Sequence, residues 1–406
     1  MVIGMGKITV GVVMLSSLFG SKIFAGAAQP ASVVEGNTAF ALDLYGHLKG
    51  TSGNLFFSPY SISTALAMTY AGARGDTEKQ MGKVFHFDTD QQRLHEAFGG
   101  LQNQLNEYRK QKGIGLSVAN ALWTQQGHPF LPDFLKTAKE DYQANLNQID
   151  FKTGAESARN EINHWVAQQT RDRIQNILPA GSLDALTRLV LANAIYFKGA
   201  WTDPFDKAAT SIQPFHLSPT GKVEVPLMHH FDNVAYFENS DFQAVQLPYS
   251  TGQLAMVVLL PRQVDGCNRL EQQLNASLLS RCLDQMKKQK VEIFLPRFKL
   301  ESSFDLVQTL ASMGMTDAFG QKADFSGIDE TRDLFITCIF HKAWGEVNEE
   351  GTEAAAATAV VVGRAAAMKP PPPPPVFRAD HPFFRQADTL SNSSRKGLME
   401  GPFRAC

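Results

Sequence analysis

The chain has 406 residues, 44% hydrophobic and 19% charged, which excludes a disordered polypeptide and permits one large α+β domain. Net charge is −2, so no overall field steers the protein toward nucleic acid or an anionic membrane. The four cysteines, Cys267, Cys282, Cys338 and Cys406, fit no zinc or CxxC spacing.

Residues 1–27 read as a secretory signal: Lys7, the apolar run 8–20, then Ala25-Gly26-Ala27 as a small-residue cleavage site. This predicts an extracellular protein, or a periplasmic one in a bacterial host. The apolar run is too short for a membrane span, and no cysteine lies near it for a lipid anchor.

Phe40, Leu44 and Leu48 repeat every four residues and predict an amphipathic helix. Residues 54–57 read as a short strand ending at Pro59. A small-residue helix follows over 61–71, closed by Gly72 and Gly75, and Asp76-Thr77 is expected to cap the next helix. Residues 94–110 predict a helix whose basic end, Arg109, Lys110 and Lys112, reads as a solvated terminus. A strand over 116–123, a helix over 131–141 and a helix over 161–169 come next. Strands are predicted over 189–196, 223–237, 244–249, 254–260 and 291–296, and helices over 270–283 and 304–313. Cys338, inside the apolar run 334–340, reads as a buried small hydrophobe. Cys267 and Cys282 could pair in an oxidising compartment. Helices first, then strands mixed with helices, argue for α+β with antiparallel or mixed sheets.

The chain carries no G-x-S-x-G, HExxH, P-loop or GxGxxG motif. His229-His230 is its one adjacent histidine pair, and neighbours on a strand face opposite sides, which makes a poor metal site. The reading is therefore no enzyme, no cofactor and no metal. Two sequons, at Asn275 and Asn392, matter only where the host glycosylates.

The stretch 339–383 stands apart. A strand-like approach over 339–347 leads through Glu349-Glu350-Gly351 into about a dozen small residues, then six prolines at 370–375. An alanine-rich run by itself suggests helix or linker. Parity also permits a strand: Thr352, Ala354, Ala356, Thr358, Val360 and Val362 are all uncharged and no larger than valine. The other parity holds the single charge, Glu353. One face could thus slide beneath a covering layer at little desolvation cost. Gly351 suits a hinge, and the prolines make a stiff extended spacer.

Several segments resemble the serpin family of protease inhibitors. They are NLFFSPYSISTALAMTYAGARGDTEKQM from Asn54, INHWVAQQT from Ile162, LANAIYFKGAW from Leu191, FHKAWGEVNEEGTEAAAAT from Phe340, LPRFKLESSFDL and FRADHPF. Together they span most of 36–383. The resemblance implies one α+β serpin domain with three β-sheets, eight to nine helices and an exposed reactive-centre loop over 349–376. It implies a suicide inhibitor of serine endopeptidases: a protease cleaves the loop, and the loop's N-terminal part inserts into the main sheet. The hinge would comprise Glu349, Gly351, Thr352, Glu353, Ala354, Ala355, Ala356, Ala357 and Thr358. Counted from Gly351, the family's loop length puts the reactive bond at Ala365–Ala366, for an elastase- or subtilisin-like target. A shift of one residue gives Arg364–Ala365 and a trypsin-like target. Ser58, Ser61, Asn193 and His341 would form a polar cluster under the sheet opening, and Trp201 the aromatic at the top of the gap. A monomer whose one partner is the target protease is expected.

After Phe383 the family ends in two apolar strands, whereas residues 384–406 are polar. This predicts an atypical tail in place of those strands, and lowered stability. Gly345, where the family more often has a larger residue, is a smaller departure. The alternative function is a non-inhibitory or substrate-like serpin, disabled by that terminus.

Overall fold

A computed structural model describes residues 30–51, 53–87, 90–111, 113–250, 252, 254–352 and 373–389. Four helices open it: α1 (Pro30–Leu48), α2 (Pro59–Tyr70), α3 (Gly75–Phe85) and α4 (Gln91–Arg109). Next come β1 (Ile114–Gln125), α5 (Pro132–Glu140), β2 (Asn145–Ile149), α6 (Phe151–Gln169) and β3 (Leu189–Ala200). A run of strands follows: β4 (Ser211–His216), β5 (Lys222–Glu238), β6 (Phe242–Pro248) and β7 (Leu254–Pro261). Helices α7 (Cys267–Gln273) and α8 (Ala276–Gln285) lead to β8 (Lys287–Pro296) and β9 (Phe298–Asp305). The rest comprises α9 (Val307–Met313), α10 (Ser326–Asp329), β10 (Cys338–Val347), β11 (Gly351–Thr352), β12 (Val376–Arg378) and β13 (Phe384–Thr389).

The first sheet runs β2-β1-β3-β10-β9, with β11 added on β3. It is mixed: β1 pairs β2 in parallel and β10 pairs β3 in parallel, while β1–β3 and β9–β10 are antiparallel. One face packs on the main core, which includes Phe40, Phe57, Leu66, Leu191 and Phe197. The other face is covered by α6 and the segment after it, through Trp123, Ile162, Val166, Ile174, Ile177 and Tyr196. The second sheet runs β12-β8-β5-β6-β7-β13, with β4 on β5. Three sheets are expected from the resemblance. Among the described residues hydrogen bonding joins the strands into two, because the 17-residue β5 pairs with β4 and β8 along most of its length and with β6 at its end.

The small-residue helix is buried on every side, since all residues of α2 are inaccessible. Ser58 caps it, its side chain accepting from the Ser61 N–H, and Pro59 supplies a preset first turn. Residues 54–57, expected as a strand, belong to no strand. Asp76-Thr77 does not cap α3: that helix starts at Gly75, and Asp76 sits in its first turn. The single helix expected over 270–283 is two, because Asn275 takes an extended conformation and caps α8 by accepting from the Leu278 N–H. The helix expected over 304–313 is α9, which starts at Val307 because Phe304 and Asp305 still belong to β9. Strand β9 itself, where burial alternates along Phe298, Lys299, Leu300, Glu301 and Ser302, was not expected. Helix α6 begins at Phe151, ten residues before the expected start, because Asp150 caps it. The described cysteines Cys267, Cys282 and Cys338 are buried and unbridged.

The chain beyond Phe383 also departs from expectation. Residues Phe384–Thr389 form β13, antiparallel to β7 in the register Phe384↔Leu259 through Thr389↔Leu254. A ladder needs backbone groups rather than apolar side chains, and β7, buried along its whole length, supplies them. The charge in this strand is not left in water: Arg385 is fully buried, its guanidinium 4.6 Å from the Phe298 ring and 5.4 Å from that of Phe56. Residues 390–406 lie outside the described part.

Candidate functional site: the seam between β3 and β10

Strands β3 and β10 lie side by side in parallel, from Val190↔Cys338 to Tyr196↔Trp344. They are far apart in sequence, and their meeting forms a seam across the first sheet. Midway along it, Asn193 stands opposite His341. The His341 Nδ1–H donates to Asn193 Oδ1, and His341 Nε2 accepts the Ser58 backbone N–H at 3.1 Å. Asn193 Nδ2 donates to the Ser61 carbonyl at 2.8 Å, to Ser61 Oγ at 2.6 Å and to Asn120 Oδ1. Ser58, Ser61, Asn193 and His341 are thus brought together, all buried, and each is satisfied by the others. Burial holds the imidazole neutral and pulls its pKa down to about 3. The network pins α2 to β3 and β10 at once.

At the head of the seam the chain leaves β10 and turns back at once. Asn348 and Gly351 exchange backbone hydrogen bonds of 2.8 and 3.1 Å. Gly351 and Thr352 then pair antiparallel with Ala200 and Gly199 of β3. Gly351 has φ of +139°, and a Cβ there would lie 2.1 Å from the Gly199 carbonyl oxygen, so only glycine fits. Trp201 sits beneath this turn. Its ring stacks on Tyr249 at 4.9 Å, its Nε1–H donates to the Asn348 carbonyl at 3.0 Å, and its backbone N–H donates to Glu350.

Glu349 is the buried charge of this region, 2% exposed. Its carboxylate accepts from Arg297 and from the Thr210 hydroxyl, and its carbonyl accepts the Phe205 N–H at 2.8 Å. Burial pushes its pKa up, but the Arg297 and Thr210 hydrogen bonds outweigh that and leave it below the usual carboxylate value. Glu350 pairs with Lys207.

The expected site residues therefore divide. Ser58, Ser61, Asn193, His341, Trp201, Glu349, Gly351 and Thr352 line one continuous seam. Glu353, Ala354, Ala355, Ala356, Ala357, Thr358, Arg364, Ala365 and Ala366 lie outside the described residues. Asn120, Arg297 and Thr210 were not expected. They reach the seam from positions 52 or more residues distant from their partners in sequence, and no local pattern marks such contacts. His229 and His230 turn to opposite sides of β5, toward Phe294 and Phe205. No group of three or more His, Cys, Asp or Glu able to hold a metal occurs among the described residues.

The chain matches the family Serpin (serine protease inhibitor) over residues 35–388. It is 41% identical to the leukocyte elastase inhibitor of Sus scrofa over 378 residues, covering 90% of this chain and 98% of that protein. It is also 41% identical to the human leukocyte elastase inhibitor over 358 residues, 86% of this chain and 93% of that one. Among solved structures, uncleaved ovalbumin superposes with a TM-score of 0.78 at 31% identity, covering 90% of this chain and 96% of that one. A highly specific serpin of the insect Tenebrio molitor superposes at 0.79 and 31%, covering 94% and 99%. With a family match over most of its length and relatives this similar, the chain belongs to the serpin family of serine protease inhibitors.

Proposed function

We propose that this serpin is a secreted, monomeric suicide inhibitor of serine endopeptidases that traps its target by cleavage and insertion of the loop 349–376. One observation carries the reading: Gly351 and Thr352 are already paired on β3 at the head of the seam. Continued down β3 in that register, the uncharged parity Ala354, Ala356, Val360 and Val362 would fall opposite Phe197, Ile195, Leu191 and Leu189, which face the main core. Thr358 would arrive opposite Asn193, bringing a hydroxyl to the polar cluster. Glu353, the single charge, would meet Lys198. Each side chain of the hinge thus finds a matching environment on the strand it would join, and the β3–β10 pairing would have to part to admit it.

From Thr352 to Ala365 an extended strand spans on the order of 45 Å at about 3.3 Å per residue. An attached protease would be carried across much of the molecule and deformed. The target class is elastase-, subtilisin- or trypsin-like, with Ala365–Ala366 as the bait bond and Arg364–Ala365 the alternative. The test mixes the protein with an elastase and with a trypsin, then runs denaturing gels and weighs the released C-terminal peptide. A denaturation-resistant complex, with a peptide beginning at Ala366, is the expected result. Clean cleavage without a complex would overturn the trapping mechanism.

A second reading, a cleavable serpin that fails to trap, rests on the polar tail after Phe383, whose strand β13 carries the buried Arg385 at the end of the second sheet. The same gel separates the two. Secretion rests on residues 1–27. Expression with that segment intact should deliver to the medium a protein whose N-terminus follows Ala27, and retention in the cell with an intact N-terminus would count against it.

A further inference from the structure

If the loop inserts, β3 and β10 part by one strand spacing, about 4.8 Å, and β1 and β2 travel with β3, to which the ladders bind them. Any bond that crosses from the β1–β2 side to the β10 side is then broken. Between β3 and β10 themselves the loss is repaired, because the backbone groups of an incoming strand take up both ladders. One side-chain bond at the foot of the seam has no such replacement. The turn after β1 carries His128, whose Nε2–H donates to Asp329 Oδ2 of α10 across 201 positions of sequence. The two ends of this bond are anchored on opposite sides. The His128 carbonyl accepts from Gln148 Nε2 of β2 at 2.6 Å, and the Gln126 N–H donates to the Ile149 carbonyl at 2.9 Å. Asp329 belongs to a helical turn fixed to the end of α2. There the Gly327 N–H donates to the Gly72 carbonyl at 3.0 Å, and Ile328 packs so closely that a Cβ on Gly72 would lie 2.1 Å from its Cγ1. One backbone bond crosses beside the pair, from the Leu131 N–H to the Ile328 carbonyl at 2.8 Å.

The pair is costly to separate. The Asp329 side chain is fully buried and that of His128 is 18% exposed. The carboxylate also accepts the Thr331 N–H at 2.8 Å and the Thr331 hydroxyl at 2.7 Å, but Thr331 is two residues along the chain and stays with it. Among the described residues His128 is its one basic partner. Pulled away from His128, the buried carboxylate keeps Thr331 alone, and the hinge residues 352–362 bring no cation, their single charge being Glu353. We propose that His128 and Asp329 form a clasp at the foot of the first sheet, a pair of positioning residues that holds the seam shut in the uncut protein and opens when the loop goes in. The clasp rests on the insertion reading given above. Its strength sets two quantities at once: the resistance of the uncut protein to premature opening, and the share of loop-cleaved molecules that insert before the protease is released.

The test compares unfolding midpoints in guanidinium chloride for the intact protein and for the protein cut in its loop by elastase or trypsin and freed of protease. The chains are the wild type, His128→Ala, His128→Gln and a control, Asp150→Ala. Asp150 caps α6 and bonds to Gln125 and Thr153, all on the β1–β3 side, so its loss should weaken both forms alike. His128→Ala should lower the intact midpoint by about 0.5 M and leave the cut midpoint within about 0.1 M of wild type, because the cut form has already given up the bond. His128→Gln keeps a donor for Asp329; it should lose less than His128→Ala in the intact form and nothing in the cut form. On denaturing gels His128→Ala should also raise the ratio of covalent complex to released cut protein about threefold, since a contact broken before the transition state no longer holds the sheet back. Equal losses in the intact and cut forms, or no loss in either, would refute the clasp and leave insertion standing. A cut wild type no more stable than the intact one would refute insertion, and the clasp with it.

Discussion

Four buried ionisable groups show how this molecule manages charge. Glu349 is held by Arg297 and Thr210, so removing its cation leaves a carboxylate at the head of the seam without its main partner. Arg297→Ala should cost about 2–4 kcal/mol in chemical unfolding, and Arg297→Lys much less. His341 is neutral in the fold, with a pKa near 3, and burial likewise pulls His95 down to about 4. In the unfolded chain both return to about 6.5. Between those values the unfolded chain binds protons that the folded chain refuses, so stability is full above about pH 6.5 and falls as pH drops. Unfolding free energies from urea titrations between pH 7 and pH 4 should decline by up to about 1.4 kcal/mol per pH unit for each histidine, and His341→Gln should flatten the curve. Arg385 is the opposite case: burial drags its pKa down to about 9, yet it remains charged at neutral pH among Phe56, Phe298 and Met256. Arg385→Met keeps the volume and removes the charge. It should raise the unfolding free energy by about 1–4 kcal/mol, because a well-packed apolar side chain of similar volume carries no desolvation cost, and an unchanged or lower value would sink that account.

At the scale of elements, α2 and the parity of 352–362 were the most legible parts, and β9, β12 and β13 the least. Serine and alanine at five of the eleven positions 61–71 announced burial on several sides, and all residues of α2 are indeed buried. The parity of 352–362 was also readable, because alternation is a local property of a strand. A three-residue strand such as β12 has no such signal. It exists because β8 offers Glu292, Ile293 and Phe294 as partners. The hinge prediction belongs here. In the proposed register Thr358 would land opposite Asn193, inside a fully paired polar cluster. Thr358→Arg would force a large charge into that space, at a cost of several kcal/mol. It should turn the protein into a substrate: loop cleavage at the wild-type rate, with covalent complex lost from the gel. Retention of the complex would mean that insertion halts before Asn193.

For the whole molecule, the first sheet holds its strands in a closed arrangement, β3 against β10, while a segment able to form another strand leaves from the head of that seam. In the proposed mechanism, cleavage would separate that segment from β12. The protein cut in the loop should therefore unfold at a higher temperature than the intact one, as read by calorimetry, because the inserted strand adds ladder bonds and core burial on both faces of the sheet. Equal midpoints would mean that the loop stays outside. The amino-acid sequence by itself determined the α+β class and the alternating parity of 352–362, because periodicity and residue size are local properties, while the family and the expected members of the polar cluster came from the resemblance of its motifs to serpins. Only the tertiary structure decided that β3 and β10 meet, that Arg297 finds Glu349, that a polar tail still pairs as β13, and that His128 finds Asp329. Those contacts join residues 52 to more than 140 positions apart, and they form only where the packing of other elements brings backbones and charges within reach.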